Sequence, residues 1–308
     1  MHDDEVNIDE QIACQLIVEQ FPQWQSKNVR RVVTDGTVNA IFRIGTDLAA
    51  RLPLRSAEPT DSSMALARQT AAMRELAACC SVPTPAPVAG GSPGTGYPLQ
   101  WSVQTWLPGT VATPTGLEHS AVFARDLANL VQSLRAAPTR GRHFSGSGRG
   151  GAMEDSDAWM EICFRESDGL LPVDRLRALW AKFRCIPASD REMMTHGDLI
   201  PGNLLVDGER LVGVLDGGGF APTDPSLDLV AAWHMLDTAR RAVFRRELVC
   251  DNVQWWRGAA WAFIQAMGLV WYYRETNPGM SMLGQTALTR ILEDPMFSVQ
   301  ISTSPPAR

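Results

Sequence analysis

Three polar side chains, Asp198, Asn203 and Asp216, lie close together in the sequence and could assemble a phosphoryl-transfer centre. A carboxylate can accept the proton of a hydroxyl that attacks a nucleotide phosphate. An amide oxygen and a second carboxylate suit a hard cation such as Mg2+, which neutralises charge developing on the transferred group. Such chemistry depends mainly on positioning, so the elements that carry these residues are decisive.

The segment around the three residues predicts a β-hairpin. Two apolar, strand-like runs, 204–206 and 211–215, flank the dipeptide Asp207-Gly208, which favours a tight turn. A hairpin brings the start of its first strand opposite the end of its second strand. We therefore expect Asn203 and Asp216 at the same end of one ribbon.

The loops beside this hairpin contain turn-forming residues. Pro201-Gly202 predicts a sharp turn, and glycines 217–219 leave room for a phosphate near the backbone, although both features also have ordinary structural explanations. Asp228 follows a little later. We interpret it as structural, either capping a following helix or bracing the loop of Asp198 through backbone amides.

The motif HGDxxPGN at residues 196–203, with a later Leu-Asp pair ending at Asp216, resembles the catalytic core of the aminoglycoside phosphotransferase family. These small-molecule kinases are relatives of the protein-kinase fold. The resemblance implies an α+β, bilobal protein-kinase-like fold. A small, β-rich nucleotide-binding lobe would span residues 1–107, and a larger, mainly helical catalytic and substrate-binding lobe would span residues 108–308.

The resemblance also implies roles for individual residues. Asp198 would be the catalytic base, Asn203 and Asp216 would be Mg2+ ligands, and His196 would be largely structural. The sequence departs from many relatives at two positions, with Ile200 in place of His and Gly217 in place of an aromatic residue. Neither departure removes a metal ligand.

The amino-terminal part supplies the expected strands, which we place at residues 31–33, 40–44 and 48–52. The loop 34–39 would cover the nucleotide phosphates and would bring Asn39 to the cofactor, although it lacks the multiple glycines of a protein-kinase loop.

The third strand carries Arg51 where kinases normally carry a phosphate-binding lysine. Arginine binds phosphate through two donors and keeps its charge, so we predict Arg51 as the phosphate clamp. A helix over residues 64–80 would supply a partner for this cation. Gln69 occupies the position where relatives have Glu, and Glu75 is the alternative.

A strand over residues 101–106 ends at the segment that resembles the interlobe hinge. In similar kinases the backbone at this exit binds adenine, which here implies Thr105 and Leu107. The resemblance thus predicts ATP as the phosphate donor, with GTP as an alternative, together with Mg2+.

The composition fits a two-lobed enzyme, because 308 residues with a net charge of −6 can bury a substantial core. The acidic start is not a signal peptide, and the uncharged run 258–273 is too short to span a bilayer, so we predict a buried helix there. Without an export signal, the six cysteines should stay reduced, which predicts a cytoplasmic protein without a zinc site. The acidic chain lacks a basic stripe, so neither nucleic acid nor a membrane is an expected partner.

Helices are expected in the larger lobe at 117–136 and within 155–183. The glycine-rich residues 140–151 are interpreted as a mobile substrate-side loop or a simple linker. The expected packing residues in the first helix are Val122, Leu127, Leu130, Val131 and Leu134. Those in the second region are Trp159, Ile162, Phe164, Leu170, Leu176, Leu179 and Trp180.

The substrate is the least determined part of the prediction. Acids are not concentrated in the presumed substrate lobe, although Glu161, Glu166, Asp237 or Glu275 could still form a cluster that attracts a polycation. Most of the rings between residues 255 and 273 should be core, and a few could line a pocket for a macrolide, nucleoside or peptide-like antibiotic.

Two functions remain open from the sequence. The first is a kinase that phosphorylates a hydroxyl of a small molecule, such as an antibiotic, for resistance or self-protection, with no obligate protein partner. The second is a nucleotide-binding pseudokinase or regulatory module. Loss of the lysine favours the second function, and retention of Asp198, Asn203 and Asp216 favours the first.

Overall fold

The computed structural model describes residues 6–34, 38–55, 59–146 and 148–298. Within these ranges the strands are β1 Val29–Val32, β2 Asn39–Ile44, β3 Leu48–Pro53, β4 Pro87–Gly91, β5 Trp101–Thr105, β6 Thr110–Val111, β7 Met193–Thr195, β8 Leu204–Asp207, β9 Arg210–Val214 and β10 Ala221–Thr223. The helices are α1 Glu10–Gln20, α2 Pro59–Cys79, α3 Ala121–Arg135, α4 Asp157–Glu166, α5 Val173–Phe183, α6 Val230–Met235, α7 Thr238–Glu247, α8 Asn252–Tyr272, α9 Pro278–Glu293 and α10 Pro295–Ser298.

The chain divides into two compact units. The first unit comprises Met1–Gly109 and Gly213–Phe220, and the second comprises Thr110–Val212 and Ala221–Arg308. The first unit contains an antiparallel sheet of five strands in the order β1-β2-β3-β5-β4. The second unit is mainly helical. The predicted α+β fold class is confirmed.

The sheet of the first unit is built on alternating burial. In β2, Ala40, Phe42 and Ile44 are buried while the residues between them are partly exposed, which is the period expected for a half-buried strand. Helix α1 packs its buried side chains into the same core. At the sheet edge, a Cβ on Gly91 would lie 2.0 Å from the ring of Trp101, so only glycine fits there.

The predicted strands at 40–44 and 48–52 are confirmed, whereas the first strand lies at Val29–Val32 rather than at 31–33. The strand expected over 101–106 forms as β5. The helix expected from 64 begins earlier, at Pro59. Asp35, Gly36 and Thr37 of the predicted phosphate loop lie outside the described residues.

The second unit has α8 at its core. Helix α8 is apolar on most of its surface and almost entirely buried, which confirms the buried helix predicted for residues 258–273. None of the helices in the described ranges combines the length and apolar character needed to cross a bilayer. All six cysteines lie in those ranges and are free.

The first predicted helix of this unit is shorter than expected. Helix α3 begins at Ala121 because the Ser120 hydroxyl accepts a hydrogen bond from the amide of Phe123 and caps the helix. In the second region, Phe164, Leu176, Leu179 and Trp180 are buried as predicted. Of the other expected packing residues, Ile162 and Leu170 are exposed, and Trp159 is exposed but still contacts Trp271, with 5.9 Å between the ring centroids.

Candidate active site

The Asp198 loop, defined here as residues 196–203, follows β7 and is held from its buried side by Asp228. The Asp228 carboxylate is fully buried and accepts hydrogen bonds from the amides of His196 at 2.9 Å and Gly197 at 2.8 Å. Burial raises the pKa of Asp228, whereas His196 and the two amides lower it. The interpretation of Asp228 as a brace is confirmed. His196 is itself buried, and its Nδ1 accepts the Asp198 amide at 3.3 Å.

The Asp198 carboxylate remains accessible on this rigid loop, with a side chain that is 39 % exposed. Asn203 Nδ2 donates to Asp198 Oδ2 at 3.0 Å and to the Asp198 carbonyl at 2.9 Å. Arg149 Nη2 donates to Oδ1 at 2.9 Å, and Gln265 Nε2 lies 3.5 Å from the same oxygen. The structure thus brings Asp198 and Asn203 together and adds two residues that the sequence analysis missed.

A buried histidine orients Gln265. His234 Nε2 lies 3.1 Å from Gln265 Oε1, and no described group pairs with its Nδ1. Burial lowers the pKa of His234 to about 4, so the ring is neutral at pH 7 and donates through Nε2. The Gln265 oxygen is therefore occupied, and its NH2 group is directed towards Asp198.

A buried ion pair supports this region of the second unit. Arg257 and Asp224 are 1 % and 2 % exposed, with 2.7 Å between Arg257 Nη2 and Asp224 Oδ2. The indole N–H of Trp261 donates to the same carboxylate oxygen at 2.7 Å. Arg257 also donates to the carbonyls of Pro187 at 2.8 Å and Gly151 at 3.1 Å. Because every member has partners, this network fixes the backbone around it.

Asp216 belongs to the first unit, where it pairs with Arg51. Asp216 has a left-handed backbone, with φ 57° and ψ 41°, which aspartate tolerates better than most residues. Its Oδ1 accepts a hydrogen bond from Arg51 Nη2 at 2.7 Å. The Arg51 side chain is 16 % exposed and that of Asp216 is 48 % exposed, so the pair has an accessible carboxylate.

Arg51 and Gln69 line one cavity of about 200 Å³ between α2 and strands β4 and β5. Gly218 lines the same cavity, and a Cβ on it would lie 3.2 Å from Gln69 Cγ. A Cβ on Gly217 would lie 2.2 Å from Leu76 of α2, which gives this departure from the family pattern a packing explanation. The Arg51 guanidinium donates to the Asp216 carboxylate, which the sequence analysis did not name as its partner.

The remaining predicted cofactor residues also lie in the first unit. Asn39 opens β2 opposite Pro53 and is partly exposed. Thr105 ends β5, and its N–H donates to the Ala86 carbonyl at 2.9 Å. Leu107 lies just beyond, and among the described residues its N–H has no backbone acceptor. Binding of adenine to Thr105 and Leu107 stays a prediction.

The comparison with known families identifies the class of this protein. Residues 29–264 match the model of the phosphotransferase enzyme family, APH. The chain therefore belongs to the phosphotransferase enzyme family, and the resemblance seen in the sequence is confirmed. Among curated proteins, none matches the sequence significantly.

Solved structures of antibiotic kinases share the fold at low sequence identity. The complex of APH(2″)-IIIa with GDP and kanamycin is 17 % identical and gives a TM-score of 0.69 over 90 % of this chain and 98 % of that chain. Macrolide 2′-phosphotransferase from Brachybacterium faecium is 20 % identical, with a TM-score of 0.58 and coverage of 84 % and 92 %. Macrolide 2′-phosphotransferase type I is 15 % identical, with a TM-score of 0.61 and coverage of 91 % and 98 %. The predicted kinase-like fold is confirmed.

Proposed function

We propose that the chain transfers the γ-phosphoryl group of ATP, or of GTP as an alternative donor, to a hydroxyl of an antibiotic-like small molecule, giving resistance or self-protection. Membership of the phosphotransferase family supports the reaction type. Structural neighbours with aminoglycoside and macrolide names support a small-molecule acceptor.

The observation that carries the proposal is the arrangement of Asp198. Its loop is braced by a buried carboxylate, while its own carboxylate stays accessible and is oriented by Asn203. A base must be held in place and still be reached by its substrate, because a positioned carboxylate can accept a proton only within hydrogen-bonding distance. Asp198 meets both requirements.

In the proposed reaction, the acceptor hydroxyl gives its proton to Asp198 while its oxygen forms a bond to the γ-phosphorus. The bond between that phosphorus and the β–γ bridging oxygen breaks, and its electron pair leaves with the nucleoside diphosphate. Asp198 later releases the proton to solvent. Asn203, by donating to Oδ2, holds the carboxylate in the orientation that this transfer requires.

The residues proposed for Mg2+ have the appropriate donor atoms. Asn203 uses its NH2 group on Asp198, which leaves its amide oxygen as a ligand, and Asp216 has a half-exposed carboxylate. Oxygen ligands of this kind suit Mg2+, which often takes only one or two protein ligands together with phosphate oxygens and water. When bound, Mg2+ would neutralise charge on the phosphates.

The proposed nucleotide contacts come from the first unit. Arg51 would clamp phosphate oxygens, and Gln69, which lines the same cavity, would orient it. Asn39 would contact the phosphates, and the backbone of Thr105 and Leu107 would bind the base. The Leu107 N–H, which has no backbone acceptor among the described residues, supports this assignment.

The test is incubation of the protein with Mg2+, ATP or GTP, and a panel of hydroxylated antibiotics, followed by mass spectrometry for added phosphate. Asp198→Asn should abolish product, whereas Asp190→Asn, at an exposed aspartate of the second unit, should leave the rate unchanged. Calorimetry should show nucleotide binding in all three proteins. Nucleotide binding without transfer to any compound would favour the pseudokinase instead.

A further inference from the structure

The guanidinium group of Arg149 contacts the carboxylate of Asp198, the proposed catalytic base. Arg149 Nη2 donates to Asp198 Oδ1 at 2.9 Å and to the Gly197 carbonyl at 3.2 Å. The side chain of Arg149 is 36 % exposed, and no described residue accepts a hydrogen bond from its Nε or Nη1. The group therefore keeps donors available to a molecule that approaches Asp198.

The backbone after Arg149 is built to hold it there. Gly150 has φ +127°, and a Cβ on it would lie 2.8 Å from Thr223 Cβ, so only glycine fits. The next carbonyl, of Gly151, accepts a hydrogen bond from the buried Arg257 at 3.1 Å. The backbone on the carboxyl-terminal side of Arg149 is thus anchored to buried residues of the second unit.

The groups behind Asp198 add no further charge. Gln265 is a neutral donor, and His234 is uncharged at pH 7 because burial lowers its pKa to about 4. Asp224 is paired with Arg257 and buried. Of the described side chains that donate to the Asp198 carboxylate, which are Asn203, Arg149 and Gln265, Arg149 is the charged one, so an acceptor that reaches the base meets its guanidinium.

Three of the four acids that could have attracted a polycation pair with basic side chains elsewhere in the second unit. Glu161 pairs with Arg177 at 2.7 Å, and Glu166 pairs with Arg165 at 3.0 Å. Asp237 lies 2.6 Å from His119 and accepts the amide hydrogen bond that caps α7. Glu275, the fourth candidate, lies on the exposed turn after α8.

We propose that Arg149 determines acceptor specificity, so that the enzyme uses hydroxylated molecules that are neutral, or that carry an anionic group beside the reacting hydroxyl, and discriminates against polycationic aminosugars. This inference rests on the proposed function, because it assigns Asp198 as the base. A substituent next to the reacting hydroxyl must pass the guanidinium, and a cationic substituent is repelled by it.

The kinetic test measures the ratio of kcat/KM for a neutral and a polycationic acceptor of similar size on the same protein. A ratio cancels any general effect of the mutation on catalysis. Arg149→Gln should shift the ratio towards the polycation by about tenfold, an effect smaller than the full Coulomb energy because the side chain is partly exposed and screened. Arg149→Lys should retain the wild-type ratio. Arg246→Gln removes the same charge from α7, where the side chain is 67 % exposed, and should change nothing.

A binding test works without turnover and uses kanamycin as the probe. Calorimetry should show kanamycin binding to Arg149→Gln about ten times more tightly than to the wild-type protein or to Arg149→Lys, for the same electrostatic reason. If the wild-type protein and Arg149→Gln bind kanamycin with equal affinity, or if neither binds it, the inference is overturned. The proposed function fails separately, when neither ATP nor GTP binds and no acceptor gains phosphate.

Discussion

Replacement of Gly150 by alanine tests whether the fold of the second unit sets the position of Arg149. At φ +127° an alanine is strained by about 1 to 3 kcal/mol. Its Cβ would also lie 2.8 Å from Thr223 Cβ and 3.3 Å from the ring of Phe144. Overpacking of this kind adds about 1 to 3 kcal/mol. We therefore expect Gly150→Ala to lower the free energy of unfolding by about 2 to 6 kcal/mol.

Gly146 provides a matched control in the same segment. Its φ is +77°, and a Cβ placed there would meet no described heavy atom within 4 Å. Gly146→Ala should therefore show only the backbone effect, about 1 to 2 kcal/mol. The comparison separates the strain shared by both positions from the close contact that exists at Gly150 alone.

Urea unfolding measures the two stabilities, and the acceptor ratio described above reports the position of Arg149. Gly150→Ala should lose part of the discrimination between neutral and polycationic acceptors, because relief of the contact with Thr223 displaces the adjacent residue. Gly146→Ala should keep the discrimination. If the two variants lose equal stability and both keep the wild-type ratio, the reasoning about the backbone of Arg149 is refuted.

Three further predictions follow from buried or paired groups. Asp228→Asn replaces an acceptor of two amides with a group that accepts only one, so stability should fall by about 2 to 4 kcal/mol in urea unfolding, with a lower transfer rate. The pKa of His234 is about 4 in the folded protein and 6.5 in the unfolded chain. As pH falls from 6.5 to 4, the unfolded chain takes up the proton first, so the free energy of unfolding decreases. From pH 7 to 4 the wild type should lose about 3 kcal/mol more than His234→Asn. Arg51→Ala should lower kcat/KM for nucleotide by about 10-fold to 1000-fold, with Arg30→Ala, at an exposed position, as the control; an unchanged rate would refute the clamp.

The hairpin between Asn203 and Asp216 was predictable because its signals are local. The Asp207-Gly208 turn and the apolar runs beside it lie within a dozen residues, and the structure has strands β8 and β9 there with Gly208 at φ +56°. The structural role of Asp228 could also be predicted from the sequence. A carboxylate just before a helix has few uses other than accepting backbone amides.

Arg149 could not be assigned from the sequence, since its partner lies 49 residues away. The composition around it favours a linker, and the glycines gave no indication of a close approach to Thr223. One signal was present. Arg257 is the single charged residue of α8, and a charged residue on a buried helix requires partners, one of which is the Gly151 carbonyl.

Helix ends and exposed apolar residues were wrongly predicted for related reasons. Periodicity alone does not show where a hydroxyl caps a helix, so the start of α3 at Ala121 depended on Ser120. Trp159, Ile162 and Leu170 fit an apolar pattern, yet they lie on surfaces that no neighbouring element covers completely. Burial depends on which helices pack together, and this information is not local.

Three aspartates of the second unit show how environment separates roles among identical side chains. Asp224 is buried against Arg257 and Trp261, so it cannot exchange protons with a substrate. Asp228 is buried with both oxygens occupied by amides. Asp198 alone among these three combines a fixed loop with an accessible carboxylate.

This difference predicts opposite outcomes for two conservative mutations. Asp224→Asn leaves the buried Arg257 without its counter-ion, so stability should fall by about 3 to 5 kcal/mol. Asp198→Asn removes a partly exposed ion pair and perturbs the hydrogen bond from Asn203, both at an accessible side chain, so its unfolding midpoint in urea should stay close to that of the wild type while transfer is abolished. If Asp198→Asn were as destabilising as Asp224→Asn, the carboxylate of Asp198 would be structural and its assignment as the base would fail.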